Sequence, residues 1–310
     1  MSGSRGSLRE LLRVPGGGAG VDLAAIDPRT TPGLPSVGVV GAAPKSWARS
    51  QVAAIGTELG RQQEMLFASA KVEPAAGRRV LLVLQAMDAG GKDGTIRRVA
   101  GTMNPLGLQI RSFVRPTEEE RAHPFLWRIR RALPPPGYVG VFNRSHYEDV
   151  LVPRVESLVP EQVWRARYGE INEFEEELAE AGVTLLKVFL HISYEEQLDR
   201  LLRRLADPHK HWKYEPADVD TRARWVDYQA AYAEVLARCD TALAPWFVVP
   251  ANRKWYRDWA VANLLRETFE GLGLTYPEPT FDLDLERRRL LDRQPDRYVP
   301  VSAPSSQGEQ

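Results

Sequence analysis

The chain is predicted to be an α/β protein with a parallel five-stranded sheet and helices on both faces, and three observations carry that prediction. Five short apolar runs recur, RVLLVLQAM from Arg79, LQIRSFV from Leu108, YVGVF from Tyr138, VTLLKVFLHI from Val183 and PWFVVP from Pro245. Helical patterns separate each run from the next, and strands alternating with helices imply a parallel sheet covered on both sides. The first run leads into the glycine-rich turn GGKDG and then into a helical stretch, TIRRVAGTM.

Length and composition agree with this class. The 310 residues are 43% hydrophobic, enough for one large domain with a full core. Lys plus Arg and Asp plus Glu both total 41. No global charge therefore favours nucleic acid or membrane, and any anion site must come from local asymmetry. Eight arginines against three glutamates between Arg97 and Arg131 supply that asymmetry, while the acidic run from Gly169 to Ala181 reads as a solvated face. A single cysteine, Cys239, rules out an intrachain disulfide and is expected in the core. No window approaches eighteen apolar residues and no signal peptide is evident, so a cytoplasmic location is expected.

The elements follow in order. Residues 1–45, with VPGGGAG and TPGLPSVG, read as a flexible leader or one wrapped over the surface. Trp47, Val52, Ile55, Leu59 and Leu66 predict a long packing helix over 46–70. The main domain spans 46–272. Within it the stretch from Thr117 to Leu133 is helical in pattern and opened by Glu118 to Glu120, as a helix N-terminus prefers. A lid is placed at about 204–217, where Pro208, Pro216, Trp212 and Tyr214 stand among charges. The tail, 273–310, has one short charged helix at most and is expected to be peripheral or an oligomer contact.

Ligands of open parallel sheets bind beyond the carboxyl ends of the strands, which selects three segments. In the first, AMDAGGKDGT, backbone N–H groups of Gly90, Gly91 and Gly94 with Thr95 would cradle a phosphate, and Lys92 adds a full charge. Against the Walker A pattern G-x-x-x-x-G-K-[ST], Ala86 replaces the first glycine and Asp93 the hydroxyl. Asp88 and Asp93 would repel a polyanion unless a divalent cation lay between, and Mg²⁺ takes carboxylates plus phosphate oxygens. The second segment, FNRSHYEDV, ends the third strand with Asn143, Arg144, Ser145, Tyr147 and Glu148, a set suited to phosphate and its metal. His146 is expected to be structural or at the rim. The third segment supplies Arg200, Arg203, Arg204, Lys210 and Lys213, with Trp212 as an anchor or stacking surface. Its cations would close over a transferring phosphoryl group, while Arg97 and Arg98 extend a positive track for a long polyanion.

Together, AMDAGGKDG, NRSHYED and RRLADPHKHWK resemble the polyphosphate kinase 2 family over roughly residues 46–272. The resemblance implies a three-layer fold of P-loop kinase type with a helical lid. It also implies a need for Mg²⁺ (or Mn²⁺) and reversible phosphoryl transfer between inorganic polyphosphate and purine nucleotides. By position it gives Asp88 and Asp93 as metal residues, Lys92 and Arg144 as catalytic cations, and Arg204, Lys210 and Lys213 as the lid cations; Glu148 is expected to hold part of a metal that fills the gap left by an acceptor one phosphate shorter. The commonest second motif of the family is similar to D-R-S-W-Y-N-R; here Asn143, His146 and Glu148 differ from it. That version resembles the branch acting on both AMP and ADP, so Glu148 is the expected source of the difference. A homo-oligomer is expected. An ordinary ATP-dependent kinase and a non-catalytic polyphosphate or nucleotide sensor are the competing readings, the second disfavoured because a pure anion binder gains nothing from Asp88 and Asp93.

Overall fold

A computed structural model describes residues 7–14 and 20–293. The chain divides into two units, residues 1–275 and 276–310. The second unit contributes one described helix, Leu283–Asp292, capped by the Asp282 side chain at the amides of Asp284 and Leu285.

The first unit holds the sheet. Its strands are β1 (Arg79–Gln85), β2 (Leu108–Ser112), β3 (Val139–Asn143), β4 (Val183–His191) and β5 (Trp246–Pro250), all parallel in the order β2-β3-β1-β4-β5. Each predicted run forms its strand. Central β1 is buried on both faces, which is why it reads as a continuous apolar run rather than an alternating one.

Helices α1 (Leu8–Leu12), α2 (Val37–Val40), α3 (Pro44–Val72), α4 (Lys92–Arg98), α5 (Glu118–Arg121), α6 (Trp127–Arg130) and α7 (Glu148–Val155) come first. They are followed by α8 (Glu161–Glu180), α9 (Tyr194–Leu205), α10 (Ala217–Ala223), α11 (Trp225–Arg238) and α12 (Lys254–Leu272), and the second unit's helix is α13. Successive residues of β1 face opposite layers. Val80, Leu82 and Leu84 join α3 and α12 in one core, and Leu81 and Val83 join α7, α8 and α11 in the other.

Two helical stretches differ from expectation. Residues 117–133 form α5 and α6 with a break at His123 and Pro124, because the residue before a proline is driven out of the helical region. The stretch after the glycine-rich turn begins earlier, at Lys92, and changes at its end into a 3₁₀ turn over Ala100–Thr102.

The described part of the leader is anchored to the sheet. Ser7 and Glu10 form a capping box on α1, Leu8, Leu12 and Val14 are buried, and the Val14 amide donates to Trp246 O at 3.1 Å. Tyr256 Oη donates to Pro32 O at 2.7 Å. Glycine and proline content conceals these anchors because they are single apolar residues without helical or strand period. Residues 15–19, which hold most of VPGGGAG, lie outside the described residues, as do residues 294–310 of the tail.

The strand order fixes where a ligand can bind. From β1 the chain crosses to β2 and back to β3 on one side, then to β4 on the other, so the direction reverses around β1. The carboxyl ends of β1 and β3 therefore border the crevice.

Candidate active site

The loop after β1 is held in a conformation that ordinary residues adopt at a cost. Ala89 has φ 60° and Gly91 φ 108°, and the Gly90 amide donates to Met87 O at 2.9 Å. A Cβ on Gly91 would sit 1.8 Å from Arg257 Nη1 and would have to hold φ 108°, so glycine is favoured there. Lys92 follows at the first position of α4 with only 8% exposure, its Nζ donating to Ala86 O at 2.9 Å. Burial, then the charge of Arg144, pushes its ammonium down to about 8. Asp93 lies in the first turn of α4 and accepts from Asn143 Nδ2 at 3.0 Å and from Lys213 Nζ at 2.9 Å. Burial works to raise its carboxyl, but the bonds from Lys213 and Asn143 bring it below the usual carboxylate value.

Arg144, the first residue beyond β3, adopts φ 64°, and its backbone amide donates to Leu84 O at the end of β1. The side chain is turned into the crevice. Its Nη2 donates to Asp88 Oδ1 at 2.6 Å, and Nη1 lies 3.6 Å from Glu148 Oε2. The charge of Glu148 raises the guanidinium above its ordinary value, and burial raises the Glu148 carboxyl. Gln85 completes this support from below. With its amide oriented to satisfy both neighbours, it donates to Glu148 Oε1 at 3.0 Å and accepts from the Ser145 hydroxyl at 3.0 Å.

The lid follows α9 as a 3₁₀ stretch over Pro208–Lys213 and then α10. Arg204 Nη1 donates to Lys213 O at 3.1 Å and to Asp218 Oδ2 at 3.2 Å, tying the two ends of the lid together. Burial and the charge of Asp88 push the Asp218 carboxyl up to about 6. Lys210 pairs with Asp207, and Lys213 lies over the Trp212 ring at 4.8 Å.

These elements enclose an open cleft of about 890 Å³ lined by twelve lysines and arginines against four carboxylates. Asp88, Gly90, Gly91, Lys92, Asp93 and Gly94 line it from the loop, with Arg97 and Arg98 beyond. Asn143, Arg144, Arg204, Lys210 and Lys213 line it from the other two segments.

Five expected site residues lie elsewhere. Ser145 and Tyr147 are fully buried, and Tyr147 donates to Glu175 Oε1 at 2.7 Å in a network with Lys187, so neither is placed to touch a phosphate in the cleft. Thr95 is also fully buried off the cleft wall, and its hydroxyl has no partner among the described residues. Trp212 is 75% exposed and bonded to His209 O outside the lining. Glu148 stands behind Arg144 rather than in the wall. His146 is buried on Glu175, and Cys239 is a buried core residue.

Sequence reasoning missed Arg115, Lys254 and Arg257 in the wall and Asp218 as the partner of Arg204. Arg115 lies inside the arginine-rich stretch from Arg97 to Arg131. Lys254 and Arg257 open α12, which follows β5, and the rule of carboxyl ends would have pointed to them.

No group of three metal-binding side chains occurs among the described residues. Mg²⁺ is commonly held by one or two carboxylates, with substrate phosphates and water completing its shell, and Asp88 and Asp93 in the cleft wall fit that donor set. Glu148, engaged by Gln85 and Arg144, does not converge with them.

A parallel sheet of this order, a glycine-rich turn with a buried lysine after β1, and a cationic lid over the crevice define a P-loop kinase-like α/β protein. Residues 50–272 match the family described as Polyphosphate kinase 2 (PPK2), and the chain belongs to that family. It is 49% identical over 235 residues to the AMP/ADP-polyphosphate phosphotransferase of Meiothermus ruber, a match covering 76% of this chain and 86% of that protein. It is 41% identical over 241 residues to the ADP-polyphosphate phosphotransferase of Rhodopseudomonas palustris, covering 74% and 80%. The crystal structure of polyphosphate kinase 2 from Arthrobacter aurescens is similar at a TM-score of 0.86 and 44% identity, covering 93% of this chain and 98% of that one.

Proposed function

We propose that the chain transfers a phosphoryl group from inorganic polyphosphate to a nucleoside mono- or diphosphate, AMP to ADP and ADP to ATP, in a reversible reaction. The carrying observation is the cleft itself, where the loop lysine, Arg144 and the lid cations face one open volume from three segments. An excess of cations this large suits a polyanion on one side and a nucleotide phosphate on the other. Similarity to the two phosphotransferases extends that reading to the acceptors.

Phosphoryl transfer asks little covalent chemistry of a protein, so positioning and charge neutralisation carry it. Lys92 holds the transferring group from the loop. Arg144 approaches it from β3, with Asp88 and Glu148 fixing its guanidinium. Lys210 and Lys213 close from the lid and exclude water. A bound Mg²⁺ would be held by Asp88 and Asp93 and would supply neutralisation of phosphate charge. Both ends of the reaction are phosphoanhydrides, which permits the reverse direction.

Incubation of the enzyme with ADP and Mg²⁺, with and without polyphosphate, tests the donor. ATP formed only with polyphosphate is expected; ATP-dependent phosphorylation of other acceptors with no use of polyphosphate would instead give the ordinary kinase. The same assay with AMP, GMP and GDP sets the acceptor range.

A further inference from the structure

The phosphate loop is strained, and its hydrogen bonds show what holds it. Gln197 and Arg200, one turn apart on α9, are buried to 0% and 6% exposure although both are polar. Gln197 Nε2 donates to Asp88 O at 3.0 Å. Arg200 Nη1 donates to Ala89 O at 3.0 Å and to Gly90 O at 2.9 Å. Three consecutive carbonyls of the loop are thus drawn toward α9. The same guanidinium reaches the other wall, with Nη2 donating to Ala251 O at 2.6 Å and Asn252 O at 3.3 Å just past β5. Its Nε is held by Glu196 Oε1 at 2.7 Å, so every nitrogen of the guanidinium has a partner.

In a planar trans peptide the carbonyl and the following N–H point in opposite directions. Drawing the carbonyls of Asp88 and Gly90 toward α9 therefore turns the amides of Ala89 and Gly91 the other way. The amide between them, Gly90, is used internally on Met87 O. Ala89, a non-glycine residue at φ 60°, persists in a conformation of this kind only when its surroundings over-determine it.

We propose that Gln197 and Arg200 are positioning residues that clamp the phosphate loop to α9 and set the direction of its amides. Arg200 borders the cleft, but every nitrogen of its guanidinium is taken by protein acceptors, so both residues act through the loop. Because Arg203 and Arg204 leave the same helix toward the cleft, the clamp also fixes the loop relative to the lid cations. Only a guanidinium has the donors to span both pairs of carbonyls; a lysine ammonium is a point donor at the end of one stem. Arg222, whose Nη1 donates to Gln197 Oε1 at 3.1 Å from α10, orients the glutamine amide so that its nitrogen faces Asp88 O.

The significance of the clamp for turnover rests on the phosphotransfer reading above, so the test has an arm that needs no turnover. Amide hydrogen exchange of the peptide covering 87–95 would be compared in wild type, Arg200→Lys, Arg200→Ala and Gln197→Ala. Faster exchange in that peptide, with strands β3 and β4 unchanged, is expected in all three variants and largest in Arg200→Ala. In the second arm, kcat on ADP with polyphosphate should fall by about a hundred-fold in Arg200→Ala while KM for ADP changes by less than three-fold. Low concentrations of guanidinium ion, below those that denature, should restore part of that kcat, with methylammonium ineffective.

Where Arg200→Ala fails to fold, Arg200→Lys and Gln197→Ala carry both arms. Unchanged exchange of 87–95 in folded variants overturns the clamp whatever the activity. Altered exchange with kcat within two-fold of wild type overturns its role in positioning. A wild-type protein with no polyphosphate-dependent turnover overturns the proposed function alone, and the exchange arm still decides the clamp.

Discussion

Lys213 and Asp93 are 120 positions apart in sequence and 2.9 Å apart in space. The lid cation thus rests on the loop carboxylate that, with Asp88, suits a divalent ion. One carboxylate cannot serve both partners equally, so a Mg²⁺ held by Asp88 and Asp93 would compete with Lys213 for Asp93. Lys213→Met should lower the Mg²⁺ concentration needed for half-maximal rate, and Asp93→Asn should raise it. Exposed pairs contribute about 0.2–1 kcal/mol, so the first shift is about five-fold at most. Both variants should lose turnover, Lys213→Met because a phosphate-facing cation is gone. A Mg²⁺ titration of initial rates distinguishes them, and shifts in the same direction would sink the competition.

Lys92 is expected to set the alkaline limb of activity. Its ammonium is pushed by burial to about 8, and the protonated form is the one that attracts phosphate. The free-enzyme profile of kcat/KM should fall as pH rises through about 8. Proton counting gives the opposite sign for stability. Between about 8 and the ordinary 10.5 the unfolded chain holds more protons on this residue than the folded one, so unfolding free energy rises with pH there. Lys92→Ala should lose roughly 10²–10³-fold in turnover on every acceptor and lose that stability slope too. A flat kcat/KM profile from pH 7 to 10 in the wild type removes the assignment.

Gly91 tests the geometry of the loop from the backbone side. Alanine there meets the Arg257 guanidinium at 1.8 Å and must also hold φ 108°. Gly91→Ala should therefore lose most activity, and circular dichroism should still report the same secondary structure. Gly271→Ala is the control, since nothing lies near a Cβ at that position. Activity of Gly91→Ala within three-fold of wild type would show that Arg257 moves away freely.

The apolar runs made the sheet legible, because a strand buried on both faces needs nothing but its own composition to be recognised. The tight turn of the loop was legible through Gly90, Gly91 and Lys92, since glycine suits the φ 108° at Gly91 and the lysine opens α4. Direction was not legible within NRSHYED. Arg144 enters the cleft while Ser145, His146 and Tyr147 turn inward, and that depends on a positive φ at Arg144 and on Glu175 and Lys187, far off in sequence. Glu148, expected as a metal residue, stands behind Arg144, as only its three-dimensional contacts with Gln85 and Arg144 show. Arg257 stands in no phosphate motif on α12, and its place at the cleft comes from the strand before it.

Glu175 was hidden in an acidic run that read as a solvated face, yet it is fully buried and is the acceptor for Lys187 Nζ at 2.5 Å, Tyr147 Oη at 2.7 Å and His146 Nε2 at 3.2 Å. Lys187 also donates to Cys239 O at 2.6 Å. Removing one member leaves a buried charge without its partner, so Glu175→Ala should cost about 3–5 kcal/mol of unfolding free energy. Glu175→Leu with Lys187→Met removes both charges and should recover more than half of that loss in urea denaturation. Burial works to raise the Glu175 carboxyl, but Lys187 and His146 bring it below the ordinary 4.5. Stability from this carboxylate is therefore complete above about 4.5 and is lost as pH falls through the lower folded value. Glu175→Gln should flatten that acid slope. Equal destabilisation of single and double variants, with the acid slope intact in Glu175→Gln, would show that the two charges are not coupled and that Tyr147 and His146 are held by packing alone.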